Sequence, residues 1–184
     1  MKLVVAFCFL FSTLHITAQE GRNYADLLNT AAEVQLSDSL HINAIAVQSN
    51  RLDSITVKKW FGRVLPRTAA NRLKNRAYYL TGKITSHDNF DLLVLLEEKK
   101  RNDSTAVQVV YLVSVKKDGN YIASIEAAVA GTRKRSTYNT SSWLYKDYKV
   151  VLDSKITVNE KSFDDLTSYK INGGGRFILY PRSE

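Results

Sequence analysis

From Phe90 the chain alternates in the manner of an extended strand, with Phe90, Leu92, Val94 and Leu96 on one side and Leu93 and Leu95 on the other. Both sides are apolar at the middle, so this strand is expected to be covered on both faces. Glu97 to Ser104 (EEKKRNDS) interrupts the run with charge. Val107, Val109, Tyr111, Val113 and Val115 then alternate with Gln108, Val110, Leu112 and Ser114, which predicts a second long strand rich in β-branched residues. Lys117 to Asn120 (KDGN) places a glycine after an aspartate where a hairpin needs positive φ, and Tyr121, Ala123, Ile125, Ala127 and Val129 resume the alternation. The pattern predicts a three-stranded meander.

Upstream, Tyr24, Leu27, Leu28, Ala31 and Val34 recur at helical spacing after a capping Asn23, with Asp26 near the positive end of the helix dipole. Ser37 to Gln48 satisfies both strand and helix periodicity. Ser54 is placed to cap a helix with the stripe Val57, Trp60, Phe61 and Val64, closed by Pro66 and weakened by Gly62 by about 1 kcal/mol. Thr68 to Asn75 reads as a further helical turn or two. From Arg76 the signals turn to strand, through Tyr78, Leu80 and Lys83 to Thr85, with a polar corner at Ser86 to Asn89.

Downstream, Thr132 to Ser142 is polar and reads as an exposed loop or weak edge strand, while Trp143 to Tyr148, Lys149 to Leu152 and Ile156 to Val158 read as strands. Asn159 is placed to cap a brief helix holding Phe163 and Leu166. A last hairpin runs from Ser168 to Ile171, through Asn172 to Gly175, and on from Arg176 to Tyr180. The order predicts an α+β fold: short N-terminal helices followed by a mostly antiparallel β-meander of about six or seven strands, with a mainly-β open barrel or sandwich as the alternative.

The first residues change the picture of where the protein works. Lys2, the apolar run from Leu3 to Phe11 and the small residues before Glu20 have the order of a secretory signal peptide, with an apolar core too short to span a bilayer. Residues 1–19 are read as a signal peptide and 20–184 as one globular domain, with a helical part at 20–75 and the antiparallel sheet at 76–184. The protein is expected to be exported, to a periplasm or the extracellular space, with no transmembrane segment in the mature chain. Cys8 lies inside the apolar run and not after it, which argues against a lipid anchor. Cleavage removes the single cysteine, the single methionine and one of three histidines, leaving no disulfide and no thiol nucleophile. No cofactor is implied.

The formal net charge is +8, and the excess is concentrated. Arg51, Lys58, Lys59, Arg63, Arg67, Arg72, Lys74 and Arg76 lie in one segment against Asp53 alone. Lys58, Lys59, Trp60, Arg63 and Arg67 are the candidate binding residues, for an acidic protein or an anionic envelope surface. The same pattern also describes a helix packed by its aromatic stripe with its charges in water. Nucleic acid is disfavoured by export.

Other motifs carry less. His87, Asp88 and Asp91 (HDNFD) bring a histidine beside two carboxylates, but these are also corner residues, and a zinc site needs three or four ligands. No nucleophile elbow and no HExxH is present. Gly173 to Gly175 leads into a strand instead of a helix, which makes it a hairpin turn and not a phosphate loop. Asp164 and Asp165, adjacent in sequence, read as solvated surface. Asn102 and Asn139 begin N-glycosylation patterns. Ser39, Ser54 and Ser104 each follow an aspartate in an Asp-Ser-apolar/Thr pattern that marks candidate glycosylation sites and equally marks turns and helix starts. The first expectation is an exported non-catalytic binding or protein-interaction domain with a basic helical patch. The alternatives are a carrier holding a small apolar ligand in a half-open sheet, and a hydrolase.

Overall fold

The computed structural model describes residues 23–44, 51–64, 73, 75–100, 106–133 and 135–181. Among them are two short helices, α1 (Tyr24–Asn29) and α2 (Ser54–Phe61), and nine strands. The strands are β1 (Ser39–Ile42), β2 (Arg76–Ile84), β3 (Phe90–Lys100), β4 (Ala106–Lys116), β5 (Tyr121–Arg133), β6 (Ser136–Tyr145), β7 (Lys149–Val158), β8 (Lys161–Ile171) and β9 (Phe177–Leu179). They form one antiparallel sheet in the order β2 to β9, and β1 joins it by pairing with β6. β9 does not return to β2, so the sheet is open.

The doubly apolar strand is β3, and both its faces are buried. Leu93 and Leu95 join a cluster with Leu27, Val57 and Phe61, so α1 and α2 cover that side. Leu92, Val94 and Leu96 join a second cluster with Ile42, Leu144, Val150 and Ile171. The sheet therefore folds back over its own other face. Leu92, Leu93, Leu95 and Leu96 are at most 1% exposed, each contributing on the order of 1.5–3 kcal/mol by burial. The fold-back ends at the β8–β9 turn, where Gly175 (φ 78) sits so close that a Cβ would lie 2.4 Å from Ser114 Oγ and 2.9 Å from Ile122.

Several expectations are corrected. Among the described residues the sheet has nine strands, more than the six or seven read from the sequence, and the short helices expected at the N-terminal side are few. The helix from Asn23 stops at Asn29, because Lys83 Nζ takes the Leu28 carbonyl and residues 32–34 run extended along β2, Val34 N donating to Lys83 O at 2.8 Å. The cap of α2 is Asp53 and not Ser54. Within Ser37 to Gln48, Ser39–Ile42 is strand and residues 45–50 lie outside the described ones. So do Pro66, most of Thr68 to Asn75, and residues 1–19, where a signal peptide is expected.

Thr132 to Ser142 is neither loop nor edge. Its described residues close β5 and supply most of β6, which pairs with β5, β7 and β1; Thr137 and Asn139 are exposed along that strand while Thr140 and Ser142 are buried. The helix expected after Asn159 is strand β8. Asn159 (φ 46) and Glu160 (φ 69) both adopt the left-handed conformation of a two-residue hairpin turn, with Val158 opposite Lys161. Phe163 and Leu166 then fall on opposite faces of β8, both exposed. Below its short pairing with β9, from Lys161 to Thr167, β8 has only β7 beside it among the described residues.

Gly175→Ala is expected to lower the urea midpoint by an amount equivalent to about 1–3 kcal/mol, from left-handed strain and overpacking at Ser114. Gly173→Ala, two residues away with nothing within 4 Å of its added Cβ, is expected to stay within about 0.5 kcal/mol.

Candidate anion-binding site

α2 begins where Asp53 accepts from the backbone N–H groups of Ile55 (2.9 Å) and Thr56 (2.8 Å) and from the Thr56 hydroxyl (2.7 Å). These bonds, first among them the Thr56 amide, hold the Asp53 carboxyl below the ordinary aspartate range. Val57 and Phe61 then turn into the core. That fixes the rotation of the helix and leaves Lys58, Lys59 and Arg63 facing water.

The exposed side of α2 is one wall of a hollow of about 230 Å³, lined there by Lys58, Lys59, Trp60, Gly62 and Arg63. The opposite wall is the β4–β5 turn, through Gly119, Asn120 and Tyr121. Gly119 has φ 87, and a Cβ on it would lie 2.5 Å from the Trp60 ring and 2.7 Å from that of Tyr24. Only a glycine brings the turn this close. The Trp60 ring packs against Tyr24 at 5.6 Å and lies 5.0 Å from Lys59 Nζ, while the Arg63 guanidinium lies 5.9 Å from the Tyr121 ring. Among the described residues no carboxylate forms an ion pair with Lys58 or Arg63. Asp118, at the tip of the turn, is held by the Asn120 backbone N–H and side-chain amide, which keep its carboxyl below the usual range.

The turn is anchored from below. Lys117 Nζ donates to Asp91 Oδ1 at 2.6 Å and to the Thr85 carbonyl at 3.1 Å, and Tyr24 donates to Asp91 Oδ2 at 2.9 Å. Burial first, and then the Asp91 hydrogen bond and charge, push the Tyr24 phenol far above its ordinary range, so it stays a donor.

The sequence candidates are thus distributed unevenly. Lys58, Lys59, Trp60 and Arg63 come together at the hollow, and Arg67 lies outside the described residues. Trp60 serves mainly as the surface on which Gly119 and Tyr24 pack. Arg76 is committed elsewhere, paired with the buried Glu97, which also accepts from the Tyr111 hydroxyl at 3.2 Å. His87 and Asp91 are not brought together: the His87 ring stacks on Phe90 at 3.9 Å, on the folded-back side, while Asp91 turns to the helix-covered side. Asp88 is exposed at the corner. Among the described residues no group of three His, Cys, Asp or Glu side chains is placed to hold a metal ion. Ser39 and Ser54 are exposed, at the first positions of β1 and α2, and Ser104 lies outside the described residues. No described helix is long and apolar enough to cross a membrane.

Gly62 on the near wall, and Gly119, Asn120 and Tyr121 on the far one, are the lining residues that sequence reasoning did not assign to a site. The hairpin of the far wall was legible in KDGN, but its position beside α2 depends on contacts between residues far apart in the chain. No family model, no curated protein and no solved structure matches the chain.

Asp53→Ala is expected to cost about 1 kcal/mol in chemical denaturation by loss of the cap. Asp53→Asn keeps an acceptor and removes the titration. Because the folded carboxyl titrates below its unfolded value of about 3.9, its contribution is present above that pH and lost as pH falls through the folded pKa. The stability difference between wild type and Asp53→Asn, measured by urea titration across pH, is therefore expected to shrink below about pH 4.

Proposed function

We propose that this chain is an exported, non-catalytic binding domain whose hollow beside α2 receives an anionic group of a larger partner, an acidic protein or an anionic envelope surface. The observation that carries this reading is the charge of the lining: three cations, Lys58, Lys59 and Arg63, and no carboxylate among the described residues that line the hollow. Cations gathered in a concavity focus potential and steer an anion toward it.

Size supports a group and not a whole small molecule, since about 230 Å³ falls below the roughly 300–1,000 Å³ of typical small-molecule pockets. The rings support recognition by charge and not by stacking, because Trp60 is taken up by Tyr24, Gly119 and Lys59, and Tyr121 lies beside Arg63. The interior favours this reading over an apolar-ligand carrier, since Leu92, Leu112, Leu144 and Val150 pack on one another across the folded-back face. It is favoured over a hydrolase by the separation of His87 from Asp91.

The test uses poly-L-glutamate of defined length as probe. Lys58→Glu, Lys59→Glu, Arg63→Glu is expected to abolish retention on a poly-L-glutamate matrix at low salt. An equal reversal at the exposed Lys146, Lys155 and Lys161 is expected to leave most of it. Equal loss from both triple variants reduces the interaction to net charge and overturns the reading.

A further inference from the structure

Resting on the anion-binding reading, we infer that Asp91, which is not among the residues lining the hollow, is the positioning residue that sets its affinity. The hollow has two walls of different kinds. α2 is fixed by its Asp53 cap and by Val57 and Phe61 in the core. The β4–β5 turn projects past the end of the sheet. Its own bonds, Gly119 N to Lys116 O at 2.8 Å and Asn120 N to Asp118 Oδ1 at 2.9 Å, fix its shape but not its place.

Besides the Lys117 bond to the Thr85 carbonyl, its place is set by two contacts. One is the fit of Gly119 against Trp60 and Tyr24. The other is the Asp91–Lys117 pair, in which a carboxylate only 2% exposed holds a lysine that lies two residues before Gly119. Tyr24 takes part in both, packing against Gly119 with its ring and donating to Asp91 with its hydroxyl. Asp91 thus ties α1, β3 and the turn together. Without its charge, Lys117 loses the counter-ion that draws its stem toward the sheet, and the turn is free to lift from Trp60.

The inference has a sign opposite to simple electrostatics. Asp91→Asn removes a negative charge near a cation-lined hollow, so charge alone makes a polyanion bind more tightly. Positioning makes it bind more weakly.

The experiment measures the affinity of wild type, Asp91→Asn and Tyr24→Phe for poly-L-glutamate by calorimetry, with amide NMR on the same samples. Asp91→Asn is expected to bind roughly fivefold or more weakly. In wild type the Gly119, Asn120 and Tyr121 amides are expected to shift on titration together with those of Lys58 and Arg63. In the variant the three turn amides are expected to shift already in the absence of probe. Tyr24→Phe preserves every charge and loses one hydrogen bond, and a roughly twofold weakening is expected. It carries the test if Asp91→Asn does not fold. Affinity equal to or tighter than wild type in Asp91→Asn, or in Tyr24→Phe if that variant stands alone, overturns the positioning role while leaving the hollow's function intact. Failure of the wild type to bind, or undiminished binding by Lys58→Glu, Arg63→Glu, overturns both.

Discussion

The constraint on which the rest of this structure depends is that β3 has no face to give to water. Its middle is leucine and valine on both sides, and an antiparallel strand of that kind is stable only when two layers cover it. Two short helices supply one layer. Neither α1 nor α2 has enough turns to be stable alone, so both are held by what they bury, Leu27 in one case and Val57 and Phe61 in the other. The sheet itself supplies the second layer, and this accounts for the length of the meander and for the return of its last turn over Phe90 and Ser114.

The same strand organises the polar interior. On the helix-covered side its sequence reads Asp91, Leu93, Leu95, Glu97, with a carboxylate buried at either end. Each is answered in the same way, by one cation and one tyrosine hydroxyl: Lys117 and Tyr24 for Asp91, Arg76 and Tyr111 for Glu97. A buried charge without such partners is strongly destabilising. The pairs therefore fix which segments approach the strand ends: the start of β2 at one, and α1 with the β4–β5 turn at the other. The basic segment is divided as a result. Arg76 serves the interior, and Lys58, Lys59 and Arg63 stay on the surface around the hollow.

What was legible in the sequence follows the range of the forces involved. Period-two alternation and turn chemistry are local, so β3, β4, β5 and both glycine hairpins stood out from the residues alone. The misread stretches are those where tertiary context overrode a local signal. Phe163 and Leu166 have helical spacing, but two left-handed residues at 159 and 160 turn the chain straight back beside β7. Residues 136–142 are polar and still form an interior strand, because strand pairing is made by the backbone, which has neighbours on both sides there. At the hollow, the cationic wall was readable as a run of charge, whereas the neutral wall lies some sixty residues away in the chain and is brought in by packing on a single glycine.

Among the described residues no strand pairs with the outer edge of β8 where it outruns β9, and a row of backbone donors and acceptors left so is the usual starting point for one chain to add to another. Laid antiparallel against a second copy of itself and centred on Asp164 or on the bond after it, this segment places carboxylate opposite carboxylate. Like charges directly opposed across strands are unfavourable. Asp164 and Asp165 thus make this margin of the sheet a poor match for its own kind.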